Sequence, residues 1–183
     1  MNAWEALGLK PRLALADGEL EEKFRERMKG AHPDAGGGEG EFEAVQQARD
    51  LLADPGRRLE AWLKARGVEI SHSGAVPPEV GEMFMRVGTA TSGVDQWLEK
   101  GKATSSGLGK ALWQKEGFQL KESVEQLIGE VEEWEERVTS RFALIEEQGD
   151  NEAALLARGE LGFLRKWKAE LRGRYGKLWE GLV

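Results

Sequence analysis

The apolar residues of this chain recur at intervals of three and four positions over most of its length, the spacing of one face of an α-helix. No segment shows a convincing alternation of apolar and polar residues, which would be typical of a β-strand. The pattern therefore predicts an all-α protein. Residues 68–78, rich in serine, glycine and proline, separate two helical blocks and are interpreted as a linker.

The first block has the pattern of a short N-terminal helix or turn followed by three longer helices. Asp17 has the position of an N-cap for the second helix, and Pro33 ends that helix because proline disfavours helical geometry in the residue before it. Asp54 and Pro55 end the third helix and begin the fourth, with Gly67 as its C-terminal cap. The predicted apolar faces are Leu20, Phe24, Met28 and Ala31 on the second helix and Phe42, Val45, Ala48 and Leu52 on the third.

The second block, residues 79–183, has three longer helical series. A small polar segment at 101–109 predicts a loop after the first series, and the second series runs without interruption over 120–145. Gly149 and Asp150 then have the positions of a C-cap and of the next N-cap. Because two long helices joined by a short turn lie antiparallel, we expect the second and third series to be antiparallel. The first helix, packed across them, then completes a C-terminal three-helix bundle.

Composition narrows the classes of function. Hydrophobic residues make up 40% and charged residues 32%, as in a folded protein, and the net charge of -7 argues against nonspecific nucleic-acid binding. With no cysteine and two histidines, the chain lacks the usual ligands of a zinc site or an iron–sulfur cluster, so we expect no metal and no cofactor. The N-terminus has no signal-peptide pattern and no segment is apolar enough to span a membrane, which favours a cytoplasmic protein.

The tripeptide His32, Pro33 and Asp34 lies between two amphipathic helices. Its simplest interpretation is a helix end with a helix-stopping proline and a turn-forming aspartate. The alternative is a docking tip, in which the proline holds an imidazole and a carboxylate at the apex of a hairpin and the carboxylate accepts charge-assisted hydrogen bonds from a partner. No nucleophile with a neighbouring base accompanies the motif, so we expect no enzymatic activity.

The surroundings of the tripeptide resemble the J-domain family. The matching features are the opening Trp4 to Leu9, the Phe24-Arg25 pair, the helix and stop at 42–55, and the Arg57-Arg58 dipeptide. The resemblance implies a co-chaperone that docks on a DnaK-type ATPase chaperone and stimulates it. It assigns this docking to the tripeptide and to nearby cations, which are His32, Pro33, Asp34, Arg25, Lys29, Lys23 and Arg27.

Several residues depart from the family pattern. Ala31 and Ala35 stand where the family usually has tyrosine and lysine, and Glu21 and Glu26 reduce the positive charge of the second helix. The cations of that helix also have an ordinary explanation, since they complement the helix dipole and occupy its outer face. A protein-binding adaptor with a decayed J-domain is therefore the alternative function.

A J-domain at 1–67 followed by a helical bundle resembles the HscB type of that family. The segments at 63–70 and 161–167 resemble its exit from the J-domain and its last helix, although its acidic run is missing and 101–117 has the pattern of an insertion. The resemblance implies an iron–sulfur cluster scaffold protein as the client. The candidate client-binding residues are Met83, Phe84, Val87 and Phe163, which could equally be plain bundle core.

Overall fold

The computed structural model describes residues 2–16, 18–31, 39–70 and 77–183, and within these ranges all regular structure is helical. The predicted all-α class is confirmed. The helices are α1 (Ala3–Leu7), α2 (Glu19–Ala31), α3 (Glu39–Ala53), α4 (Pro55–Ala65), α5 (Pro78–Ala103), α6 (Gly107–Thr139), α7 (Phe142–Gln148) and α8 (Asn151–Leu182).

The chain divides into two compact units. The first comprises Met1–Gly74 together with Thr139–Gly159, and the second comprises Ala75–Val138 together with Glu160–Val183. The sequence predicts that all of 79–183 belongs to the C-terminal bundle, whereas the structure groups α7 and the first turns of α8 with the N-terminal unit.

The core of the first unit joins α1, α2 and α3. Trp4 and Leu7 of α1 pack with Ala31 of α2 and with Val45 and Leu52 of α3, and all five are buried. The apolar face predicted for α2 packs against this cluster, with Leu20, Phe24 and Met28 partly buried. Burial of these two helical faces against α1 is what holds α2 and α3 together as a hairpin.

Capping accounts for where α4 begins. The side chain of Asp54 accepts a hydrogen bond from the backbone N–H of Arg57 at 2.9 Å, and Pro55 occupies the first turn, where its missing N–H costs nothing. The predicted boundary at Asp54-Pro55 is thus confirmed. The N-cap predicted at Asp17 lies outside the described residues.

Polar contacts attach α7 and the start of α8 to the rest of the first unit. The carboxylate of Glu146 accepts hydrogen bonds from the backbone N–H groups of Leu13 and Ala14, both at 3.0 Å. Arg58 lies over the ring of Phe142 and donates to the carbonyl of Leu52 at 3.1 Å, and burial lowers the pKa of its guanidinium. Sequence spacing alone gives no sign of these contacts between distant segments.

The second unit is a three-helix bundle of α5, α6 and α8. Ion pairs fix the helix directions, because a later residue on one helix pairs with an earlier residue on its neighbour. The pairs are Arg86–Glu130 and Lys100–Glu116 between α5 and α6, and Lys168–Glu135 and Arg172–Glu132 between α6 and α8. Both neighbouring helix pairs are therefore antiparallel, and α5 and α8 run parallel. The antiparallel arrangement of α6 and α8 was predicted, whereas α5 was expected to pack across them.

Two tryptophans lock the turn between α5 and α6. The rings of Trp97 and Trp113 stack with centroids 4.3 Å apart, and each indole N–H donates to the backbone carbonyl of the other residue at 2.8 Å. The loop predicted at 101–109 is largely wrong, because α5 continues to Ala103 and α6 begins at Gly107. Gly101 is helical and lies where a β-carbon would be 2.6 Å from the ring of Trp113.

The structure also breaks the long second series predicted over 120–145. Helix α6 ends at Thr139 and the separate helix α7 begins at Phe142. The boundary between α7 and α8, at Gly149 and Asp150, agrees with the prediction. Gly149 has the left-handed φ of 64° at the end of α7, and the side chain of Asp150 accepts from the backbone N–H of Ala153 at 3.0 Å.

Candidate functional site

The tripeptide His32, Pro33 and Asp34 lies outside the described residues, as does Ala35. The structure does describe the helices that flank it in sequence. Helix α2 ends at Ala31, immediately before the tripeptide, and α3 begins at Glu39 after it. Ala31 is buried in the α1–α3 core, so its small side chain is a packing residue of the hairpin.

Of the predicted docking cations, one is paired with a carboxylate and another lies close to α1. Lys23 pairs with Glu26 at 2.8 Å, and this hydrogen bond raises the pKa of Lys23 and lowers that of Glu26. The guanidinium of Arg27 lies over the end of α1, where a β-carbon on Gly8 would be 2.8 Å from its Nη2. The positive charge that α2 offers to a partner is therefore smaller than a count of its lysines and arginines indicates.

The other two docking cations are more available. Arg25 is exposed, and its Nε donates to the backbone carbonyl of Glu21 at 3.2 Å, one turn earlier on α2. Lys29 is exposed and forms no ion pair with any described residue. Both lie nearer in sequence to the tripeptide than Lys23 does.

An arginine of α3 that was not among the predicted site residues lies beside the cations of α2. Arg49 binds the carboxylate of Glu21 through Nε at 3.0 Å and Nη2 at 2.8 Å, and it lies over the ring of Phe24. The hydrogen bonds that Arg49 donates to the carboxylates of Glu21 and Asp50 raise the pKa of its guanidinium. Its contribution could not be predicted because it depends on the approach of α3 to α2.

The four predicted client-binding residues divide into two classes. Met83 and Val87 are buried in the bundle, with 7% and 2% of their surface exposed. Phe84 and Phe163 are exposed by 59% and 36%. Met85, which the prediction did not include, is exposed by 66%.

Helix register brings Phe84 and Phe163 to the same side of the bundle. Asp95 of α5 binds Arg174 of α8 at 2.8 Å. This ion pair identifies the face of each helix that is turned toward the other. Phe84 stands 11 residues before Asp95, and Phe163 stands 11 residues before Arg174. Three helical turns span about 11 residues, so each phenylalanine lies on the same face as its helix's member of the pair.

Because α5 and α8 run parallel, Phe84 and Phe163 also lie at similar heights along the bundle, to within about one turn. The ring of Phe163 stacks on that of Trp167, with centroids 5.7 Å apart, and Trp167 is itself buried. We call Phe84 and Phe163 the α5–α8 surface; the exposed Met85 is turned about 100° from Phe84 around α5. Exposed apolar side chains clustered in this way are typical of protein-binding sites.

Other kinds of site find no support in the described ranges. No group of three or more histidine, aspartate or glutamate side chains there is arranged to hold a metal ion. Among the helices that the structure describes, none is both long and apolar enough to cross a membrane.

Comparison with known proteins shows a likeness of fold. The chaperone HscB from Vibrio cholerae has a similar structure, with a TM-score of 0.63 over 97% of this chain and 99% of that chain, at 20% sequence identity. Neither a family model nor the sequence of a curated protein matches the chain. The likeness to HscB therefore shows a shared fold.

Proposed function

We propose that this chain is a J-domain co-chaperone that stimulates the ATPase of a DnaK-type chaperone and delivers a client protein to it. The observation that carries the proposal is the His32-Pro33-Asp34 tripeptide, which falls between the two helices of a hairpin whose fold resembles that of a known chaperone. In this proposal the chain itself performs no chemistry, and ATP hydrolysis takes place in the partner. Arg25 and Lys29 contribute positive charge beside the tripeptide.

A single-turnover ATPase assay tests this function. A DnaK-type chaperone from the same organism, loaded with ATP, is mixed with the full chain, and the rate of hydrolysis is compared with the rate of the chaperone alone. A rate that rises and saturates with the concentration of the chain supports the proposal. A rate that does not change contradicts it.

The α5–α8 surface is the candidate client site. By its resemblance to the HscB type, the proposed client is an iron–sulfur cluster scaffold protein. The chain would bind the scaffold as a protein, since without cysteine it has no thiolate to offer the cluster. Phe84 and Phe163 provide aromatic anchors of the kind that dominate protein interfaces.

Replacement of the two phenylalanines separates client binding from ATPase stimulation. We expect Phe84→Asp and Phe163→Asp each to weaken scaffold binding by roughly tenfold or more, because each removes an aromatic anchor. Stimulation of the ATPase by the chain alone should not change. Isothermal titration of the scaffold measures the first effect, and Leu144→Asp is the matched control, since Leu144 is similarly exposed but belongs to the first unit.

The ion pair between Lys23 and Glu26 leads to a second prediction, that removal of the Glu26 charge strengthens docking on the partner chaperone. Glu26→Gln releases Lys23 and removes a negative charge from the proposed docking face. We expect about a two- to fivefold lower concentration of the chain for half-maximal stimulation at low salt, since rim charges chiefly change association. Glu170→Gln on α8 makes the same change in net charge elsewhere and should have no effect, and equal effects of both would contradict a local role.

A protein-binding adaptor without ATPase stimulation is the alternative function. The observations that favour it are the alanine at position 31, which is buried in the hairpin core, and the pairing of Lys23 with Glu26. In that case the scaffold still binds the α5–α8 surface, while the ATPase assay gives no response to the chain.

A further inference from the structure

The first four turns of α6 expose apolar side chains to solvent. Leu108, Leu112 and Phe118 are exposed by 75%, 59% and 54%. Leu108 and Phe118 lie on the side of α6 turned away from the buried Val124 and Val131, while Leu112 lies at the edge of that side. A helix that packs in a bundle usually has charged residues on its outer side, so this stretch has the polarity typical of a binding face.

The outer side of α6 changes character along the helix. We call its central positions the outer stripe, since they recur at intervals of three and four and are turned away from the core. In order they are Leu108, Ala111, Lys115, Phe118, Glu122, Gln126 and Gly129. The stripe is thus apolar and cationic before Phe118, and acidic, polar and then bare of a side chain after it.

This order makes the stripe complementary to itself when reversed. We propose that two copies of the chain associate through the outer stripe, with their α6 helices antiparallel and a twofold axis beside Phe118. Lys115 of each copy then faces Glu122 of the partner copy, so that one contact produces two ion pairs. In the same register, Ala111 faces Gln126 of the partner copy and Leu108 faces Gly129 of the partner copy.

The charged residues of the stripe are available for this contact. Neither Lys115 nor Glu122 forms an ion pair within the described part of the chain. Their neighbours are engaged, because Glu116 binds Lys100 at 2.6 Å and Lys121 lies 3.7 Å from Glu125. A β-carbon at Gly129 would meet no atom within 4 Å, which leaves open space for a leucine.

The same pattern favours a second copy over an anionic membrane. A membrane surface that bound the apolar and cationic turns would lie along the whole rigid helix and would be repelled by Glu122 and by Glu133 beyond it. A second, reversed copy instead places a cation opposite Glu122. The net charge of -7 opposes any contact that is not locally complementary, and one helix pair buries less surface than a stable dimer usually does, so we expect weak, micromolar association.

Sedimentation equilibrium of the full chain at low salt, over a range of concentrations, tests the proposal. The variants are Phe118→Glu, Lys115→Glu, Glu122→Lys and the charge-reversed double variant K115E/E122K. Lys110→Glu is the control, since it makes the same charge change on α6 but lies off the outer stripe. Circular dichroism confirms that each variant keeps the helical content of the native chain.

We expect the native chain and K110E to dimerise, and F118E to remain monomeric. Each single charge reversal should weaken the dimer by roughly tenfold or more, because two attractive pairs become repulsive, and the double variant should recover most of the loss. A native chain that stays monomeric to about millimolar concentration would overturn the proposal. So would a dimer that F118E leaves intact, or a double variant no better than the two single variants.

Discussion

His32→Gln is expected to abolish most of the stimulation of the partner ATPase. Glutamine is polar and of similar length, but its carboxamide cannot reproduce the ring geometry of an imidazole held beside Pro33. The tripeptide is the proposed centre of the docking surface, and central contacts of this kind contribute about 2 kcal/mol or more. We therefore expect at least about a tenfold higher concentration of the chain for half-maximal stimulation, or none at all.

The chain contains its own control for this substitution. His72 is its only other histidine, and it lies in the predicted linker at 68–78. His72→Gln should leave stimulation unchanged in the same single-turnover assay. A response of H32Q equal to that of the native chain would contradict the docking role, whereas a native chain that gives no stimulation would favour the adaptor.

Local signals were sufficient to predict much of the first unit. The apolar faces of α2 and α3, the Asp54-Pro55 boundary and the caps at Gly149 and Asp150 depend on neighbours within one or two turns, and the structure confirms each of them. The break between α6 and α7 could not be predicted in this way. No glycine or proline marks residues 139–142, and the apolar spacing continues through them.

The reason for that break is a change of packing partner. Residues up to Val138 pack in the bundle, whereas those from Thr139 belong to the first unit, where Phe142 lies beneath Arg58. Tertiary contacts therefore decide the boundary against a continuous helical pattern. Contacts between distant parts of the chain leave no trace in local periodicity.

Local periodicity also could not predict which residues of the candidate client site are exposed. Met83 and Phe84 are adjacent, and both were placed on the predicted apolar face of the same helix. The spacing of apolar residues does not decide which of the two faces the core. The positions of α6 and α8 decide this, since Arg86 faces α6 and Asp95 faces α8. Phe84 lies at the edge of α5 nearest α8 and is exposed. Met83 lies between the faces of α5 that carry Arg86 and Asp95, and it is buried.

Trp97→Ala is expected to destabilise the chain by about 4 kcal/mol, since removal of a buried aromatic side chain typically costs about 3–5 kcal/mol. Trp97 is 1% exposed, stacks on Trp113 and donates a hydrogen bond to the carbonyl of that residue. Urea unfolding followed by circular dichroism should show a lower midpoint with an unchanged slope. Trp179→Ala is the comparison, since Trp179 is 47% exposed and its loss should cost clearly less, about 1–2 kcal/mol.

A glycine provides the decisive test of why Trp97 matters. A β-carbon at Gly117 would lie 2.5 Å from the ring of Trp97, so Gly117→Ala should cost about 1–3 kcal/mol in the native background. Without the indole, only the mobile end of Leu182 remains close, and alanine has the higher helix propensity, by about 1 kcal/mol. Gly117→Ala should then be neutral or stabilising in the W97A background. An equal cost in both backgrounds would mean that Gly117 is needed for some other reason than the approach of the ring.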